Sequence, residues 1–232
     1  MKYINKIGYE IEGLWKYDCY ALEENLGGDF VDDGSVGFRD DEFENSDDKV
    51  IEYRSKPRKQ LTTIKRDLEK INKYFIKGND TCGFHIHFSF KQKEMLSLLV
   101  NNDFVEYFLK IITKKYPEMV EERKHSGYCG TEKEGNKTLF GSLYSGYNNR
   151  YRAVNFNSYN KHGTIEIRLF EMFNIEDCLE YVEITTKIIE DYLEKASKKN
   201  ALIKTEIKNL PIEIKTITIT EKIKLKQKIC VK

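Results

Sequence analysis

Three pairs of residues spaced two apart carry the chemically capable side chains of this 232-residue chain. Glu10 and Glu12 flank an isoleucine in Gly8-Tyr9-Glu10-Ile11-Glu12, and His85 and His87 flank another in Gly83-Phe84-His85-Ile86-His87. Glu166 and Arg168 flank a third in Thr164-Ile165-Glu166-Ile167-Arg168. Alternate side chains of a strand point to opposite faces, so each pair shares a face and turns its isoleucine to the other. Singly, each pair has an ordinary reading: a solvent face for Glu-x-Glu, a surface ion pair for Glu-x-Arg. His-x-His is less often idle, and two of the chain's four histidines lie on this one face. Brought onto one sheet surface, the three pairs would assemble carboxylates, imidazoles and a guanidinium. Oxygen donors with a histidine suit Mg2+ or Mn2+, whereas a set without cysteine argues against structural zinc.

The elements that must position these pairs are legible from periodicity. Residues 4–14 alternate as a strand, and Asp32-Asp33-Gly34-Ser35 reads as a turn. The six acids of 39–48 read as an exposed loop, and 50–54 as another strand. Ser55 and Pro57 suit a helix start. Leu61, Ile64, Leu68, Ile71 and Phe75 recur at helical spacing up to Gly78. Strict alternation returns from Thr81 to Phe90, and helix follows to about Lys115, restarting after Pro117. The stretch 125–148, rich in Gly, Ser, Tyr and Asn, reads as a binding loop or lid. Strands near 151–157 and 164–170 precede a helix from Glu176 to about Lys199. From Pro211 isoleucine alternates with lysine or threonine, which reads as edge strands guarded by lysine. The expected class is α+β, a largely antiparallel sheet with helices on one face. Residues 1–200 form the catalytic domain in this reading, and 201–232 a tail of the same domain.

Composition narrows the function classes. Lys+Arg at 39 against Asp+Glu at 38 lacks the basic excess of a dedicated nucleic-acid or membrane-surface protein. No apolar run approaches a membrane span, and the first residues lack a signal-peptide pattern. Five scattered cysteines without a CxxC pair read as reduced thiols, and hence a cytoplasmic setting.

Several short segments, in order, resemble the amidoligase (COOH-NH2 ligase) family, which groups with glutamine synthetase and glutamate–cysteine ligase. They are Gly8–Glu12, Asp33-Gly34-Ser35, Ile51-Glu52-Tyr53-Arg54-Ser55-Lys56-Pro57, Cys82–His87, Arg150-Tyr151-Arg152-Ala153-Val154-Asn155 and Thr164–Arg168. The resemblance spans residues 8–171 and implies a glutamine-synthetase-like catalytic fold. It also implies ATP-dependent joining of a carboxylate to an amine through an acyl phosphate, with Mg2+ or Mn2+. Carried onto these positions, Glu10, His85 and Glu166 would hold one metal and Glu12 the other, with Glu52 an extra carboxylate. His87 and Arg168 would face phosphate oxygens, with Ser89 and Asn155 as further nucleotide contacts. Arg150 or Arg152 would bind phosphate or the acid; alternation leaves that choice open because both point the same way. The second carboxylate of the Glu12 site has no clear match. Substrates would be a small or peptide carboxylate and an amine, with no nucleic acid and no membrane. Relatives of this family are often carried by phages and mobile loci.

Other readings fit parts of the sequence. His87-Phe88-Ser89 and His162-Gly163-Thr164 resemble the paired His-x-Ser/Thr units of 2H phosphoesterases. That reading leaves Glu10, Glu12, Glu166 and Arg168 without a task and places His162 at a hairpin tip. A third reading is a catalytically inactive, ligase-like module that holds a peptide or protein with the tyrosine-rich 125–148 loop. A cupin-type metal site is weaker, because helix follows the His-x-His segment.

Overall fold

The computed structural model describes residues 1–43, 45–123, 129 and 152–209. The expectations for Arg150, for most of the 125–148 loop and for strands beyond Pro211 lie outside the described residues. The chain runs β1 (Ile4–Trp15), α1 (Ala21–Leu26), β2 (Asp29–Val31), a 3-10 turn (Asp40–Glu42), β3 (Lys49–Arg54), α2 (Leu61–Ile71) and β4 (Phe75–Lys77). It continues through β5 (Gly83–Phe90), α3 (Lys93–Leu99), α4 (Asn102–Lys115), α5 (Pro117–Arg123), β6 (Val154–Asn155), α6 (Ser158–His162), β7 (Thr164–Glu171) and α7 (Glu176–Asn209).

The fold is α+β, as expected, with every strand pairing antiparallel. The sheet order is β2-β3-β1-β5-β7-β6, with β4 pairing the end of β1. β1 is central: β5 pairs with it over Ile4–Ile11, β3 over Glu10–Trp15 and β4 at Leu14 and Trp15. Its Ile7, Tyr9 and Ile11, with Phe84, Ile86 and Phe88 of β5 and Ile165 and Ile167 of β7, are buried. Tyr181 of α7 stacks on Phe170 at 4.4 Å between ring centroids and lies 6.4 Å from Phe84. Phe84 and Phe170 are register partners, so this part of α7 covers the apolar face and leaves the His85 face opposite. Each buried aromatic ring here contributes on the order of 2–3 kcal/mol. The start of β1 is fixed by Glu190, whose carboxylate accepts from the backbone N–H groups of Lys2, Tyr3 and Ile4 at 3.0 Å.

The contacts divide the chain into residues Met1–Asp191 and a second unit from Tyr192. In the second unit the helix continues to Asn209, ten residues past the expected end near Lys199, with Lys198 pairing to Glu194.

Several local readings change. Ser55 does not cap a helix: its Oγ accepts from the Tyr9 N–H at 2.7 Å, and Arg58 bridges Ile7 through both backbone groups. Helix α2 therefore begins only at Leu61. It also ends at Ile71, because Phe75 leaves the helical face to join β4 and pack edge-on against Trp15 at 5.1 Å. The strand expected over 151–157 is only Val154–Asn155. Residues 158–162 are not a hairpin tip but a short helix, closed by Gly163 at φ 66°.

Candidate metal and phosphate site

Strand register decides which of the polar pairs meet. Glu10 lies opposite His85 on β5 and opposite Arg54 on β3, and Glu12 lies opposite Glu52. His87 pairs with Glu166 of β7, which in turn pairs with Asn155 of β6. Two-residue periodicity carries this one face across five strands. Arg168, two residues on from Glu166 in β7, lies beside it on the same face, while the β5–β7 register shifts between Phe84 and Ile86.

His85 is the hub. Its Nδ1 lies 3.1 Å from Glu10 and 4.0 Å from Glu166, and its Nε2 lies 3.6 Å from Glu12. His87 Nε2 is 3.2 Å from Glu10 but off the line of a hydrogen bond, so this contact is one of charge. Glu166 accepts from Arg168 at 2.6 Å, Asn155 at 2.7 Å and Ser158 at 2.8 Å. Glu12 accepts the Gly83 N–H at 2.5 Å, and Arg54 Nε donates to Glu52 at 2.5 Å. His85, Glu12, Glu52 and Glu166 are all buried, which is unusual for charged groups unless they are paired or hold a cation.

Three ligand triads have donor atoms within 4.8 Å of one another: Glu12, Asp33 and Glu52; Glu10, His87 and Glu166; and Glu10, Glu52 and His85. The first two share no residue. Five carboxylates and two imidazoles form a donor set of the hard, oxygen-rich kind that Mg2+ and Mn2+ take. Cys82 is in none of the three triads.

The other expected site residues are placed as follows. Ser89 shares the histidine face but donates to the Lys6 carbonyl. Asn155 donates to Glu166 and accepts from the Asn157 N–H, so it orients a carboxylate. Arg152 is buried just before β6. His162 is exposed at the end of α6, away from the buried cluster around His85. Two residues escape the sequence reading. Ser158, at the start of α6, holds Glu166. Asp33 supplies the carboxylate missing beside Glu12; Ser35 donates to it through both N–H and Oγ, fixing it in an Asx turn. The Asp-Gly-Ser segment was the available signal for Asp33.

The protonation pattern follows from burial and neighbours. Burial works against ionising Glu10, yet the hydrogen bond from His85 and charge from both histidines overcome it and hold the carboxyl well below the usual range. Glu166 is lowered in the same way, burial being outweighed by His87 and Arg168. Glu12 goes up with burial, and Glu52 is pushed up to about 7 by burial and by the charge on Glu10. His87 is raised, since Glu10 outweighs its burial.

A native Glu52 near 7 keeps a proton that the unfolded chain has already released. Its contribution to stability is present at acid pH and is lost as pH rises to about 7. The metal-free protein is therefore expected to lose on the order of 2 kcal/mol between pH 5 and 7, and Glu52→Gln to flatten that slope. Urea unfolding across this range reads it; an unchanged slope in Glu52→Gln would reassign the proton.

An antiparallel sheet that gathers acids, imidazoles and a guanidinium on one face over a helical layer fits a ligase-type enzyme. Residues 50–189, more than half of the chain, match the family model described as "Putative amidoligase enzyme", and the chain belongs to the amidoligase family. The match includes Glu52, His85, His87, Glu166 and Arg168, while Glu10, Glu12 and Asp33 lie before it and meet it through the sheet. No curated protein and no solved structure matches the chain. Among the described residues, no helix is long and apolar enough to cross a membrane.

Proposed function

We propose that this protein is an ATP-dependent carboxylate–amine ligase that forms an amide through an acyl phosphate. The observation that carries the reading is the pair of disjoint triads on one sheet face, Glu12/Asp33/Glu52 and Glu10/His87/Glu166, with Arg168 beside them. These residues would hold two divalent ions, Mg2+ or Mn2+, and His85, between the triads, would ligate or orient either. When bound, the ions supply charge neutralisation for the triphosphate and for the transferring phosphoryl group. Arg168 would stabilise charge on the phosphoryl oxygens from a position fixed by Glu166. In the first step a carboxylate oxygen of the acid attacks the γ-phosphorus and ADP leaves. In the second the amine nitrogen attacks the acyl carbon, the C–O bond breaks, phosphate leaves and a proton is released.

The test is a screen of acids with amines in Mg2+ and ATP, reading ADP and phosphate. Release that requires both an acid and an amine is expected. No release with any pair, together with no metal-dependent ATP binding, overturns the reading in favour of a binding module. Metal-independent hydrolysis of a 2′,3′-cyclic phosphate, lost in His162→Ala, would instead favour the phosphoesterase. The exposed position of His162 and the acidic surroundings of His87 speak against that outcome.

Gly83 gives a sharper local test. A Cβ there would fall 2.5 Å from His85 Nε2 and 3.2 Å from Glu12 Oε2. Gly83→Ala is therefore expected to weaken Mn2+ binding about tenfold or more by splaying these two side chains. The overpacking would cost about 1–3 kcal/mol of stability. Calorimetric Mn2+ titration beside a thermal melt separates the two effects, and parent-like Mn2+ affinity would remove Glu12 and His85 from the metal set.

A further inference from the structure

Glu52 and Arg54 on β3 repeat the spacing of Glu166 and Arg168 on β7. The two strands lie on opposite sides of the β1–β5 pair, so the site face carries an arginine on each flank. Each arginine donates to the glutamate two residues before it, Arg54 through Nε at 2.5 Å and Arg168 through Nη1 at 2.6 Å. They differ in access: the Arg168 side chain is 14% exposed and that of Arg54 is 49%. Among the described residues, the Arg54 side chain makes no hydrogen bond besides the one from Nε, so both Nη groups are open to a ligand.

Strand register places Asp29 of β2, Arg54, Glu10 and His85 in one row across four strands. In the next row Gly8 lies opposite His87, and a Cβ there would stand 3.7 Å from Pro57 Cγ and 3.9 Å from His87 Cβ. Beside Arg54 the face is therefore bare at Gly8, next to the Glu10/His87/Glu166 triad. As a support for a metal ligand Arg54 is counterproductive. A guanidinium on Glu52 competes with a divalent ion for the charge of that carboxylate, and Glu52 belongs to two of the three triads. The charge of Arg54 is offset by Glu52, Glu10 and Asp29. With Glu52 and Glu10 committed to ions, the exposed Asp29 alone is left beside it, and a substrate anion becomes the fitting partner.

The geometry of phosphoryl transfer selects the anion. Attacking and leaving oxygens lie roughly in line through the phosphorus, on opposite sides of the transferring group. With Arg168 against that group on the β7 flank, the arginine of the β3 flank faces what leaves. We infer that Arg54 is a nucleotide-docking residue that holds the β-phosphate of the ADP leaving group. The inference rests on the ligase reading for the direction of transfer, and it goes further by assigning the group that receives the diphosphate. As a carboxylate oxygen bonds to the γ-phosphorus, the bond from that phosphorus to the β,γ-bridging oxygen breaks, and its electron pair stays on ADP. The Nη groups of Arg54 donate to the β-phosphate oxygens, where part of that charge collects.

The test is calorimetric titration of the full chain, parent and Arg54→Gln, with Mn2+ alone and then with ADP and AMP in excess Mg2+. Arg54→Gln is expected to weaken ADP binding about tenfold or more, the usual scale for a hydrogen bond to a charged group. AMP, which lacks the β-phosphate, is expected to bind the variant and the parent alike, and Mn2+ to bind the variant as tightly or more tightly. Arg54→Lys is expected to recover part of the ADP affinity. Unchanged ADP affinity in Arg54→Gln overturns the inference, as does an equal loss for AMP. Weakened Mn2+ binding also overturns it, by making Arg54 a support for Glu52. Should the variants fail to fold in a thermal melt, the parent decides through phenylglyoxal modification of Arg54, read by peptide mass. Protection by Mg2+ and ADP but not by Mg2+ and AMP is expected, and equal rates overturn the inference. ADP held through Arg54 without ADP release for any acid–amine pair would sink the ligase reading and leave the docking residue standing. Acid- and amine-dependent ADP release by Arg54→Gln with a parent-like KM for ATP would do the reverse.

Discussion

Glu10→Gln is expected to weaken Mn2+ binding on the order of a hundredfold or more and to lower ADP release more than a thousandfold, with little change in melting temperature. Glu10 belongs to two of the three triads, so no arrangement of two ions on this face dispenses with it easily. Its carboxyl is held ionised by His85 and His87 despite burial, so the parent site presents a formal negative charge where glutamine presents none. Removing even a group that only supports a ligand costs about 10–100-fold in metal affinity, and a direct ligand costs more. The catalytic loss is larger than the binding loss, because ions that neutralise phosphoryl charge act most strongly in the transition state. The fold should tolerate the change: glutamine has nearly the same shape, and the variant keeps a polar group facing both imidazoles. Mn2+ binding followed by electron paramagnetic resonance, with ADP release and a thermal melt on the same sample, reads all three. A fall in Mn2+ affinity below tenfold would remove Glu10 from the metal set.

How much of this site was legible beforehand follows from the range of each signal. Period-two alternation is local, so it placed Glu10 with Glu12, His85 with His87 and Glu166 with Arg168 on common faces without knowledge of the fold. Strand order is not local. Only the arrangement β3-β1-β5-β7-β6 puts Glu52 across from Glu12 and Asn155 across from Glu166. Asp33 was hidden because an Asx turn reads the same whether its carboxylate faces water or a metal. Ser158 was hidden because one hydroxyl at the start of a five-residue helix carries no period. Arg123 is buried at the end of α5 on the carbonyls of Cys82, Leu169 and Phe170, which lie more than forty residues from it in the chain. The misplaced helix start at Ser55 has the same origin, since a capping hydroxyl and a strand-bridging hydroxyl are one residue type. Phe75 continued the helical spacing by coincidence, and its partner Trp15 lies sixty residues earlier in the chain.

Arg168→Lys separates phosphoryl stabilisation from metal support. Lysine keeps the positive charge beside Glu166, so Mn2+ affinity is expected to stay within about fivefold of the parent. Turnover is expected to fall by about 100- to 1000-fold, the usual cost of losing one preorganised donor to a transition-state oxygen. The difference is geometric. A planar guanidinium can hold Glu166 through Nη1 at 2.6 Å while the rest of the same rigid group faces the pocket it lines. An ammonium on a flexible stem is a single point charge, and a site with Glu166 on one side and a phosphoryl group on the other pulls it both ways. The expected signature is therefore a fall in kcat with KM for ATP and Mn2+ affinity nearly preserved, because the missing interaction forms mainly in the transition state. A parallel loss of Mn2+ affinity would instead make Arg168 a support for Glu166 rather than the phosphoryl-facing cation. Measuring both constants on Arg168→Lys and on Asn155→Ala, which also loosens Glu166, decides this. Weakened metal binding in the asparagine variant alone would leave phosphoryl stabilisation with Arg168.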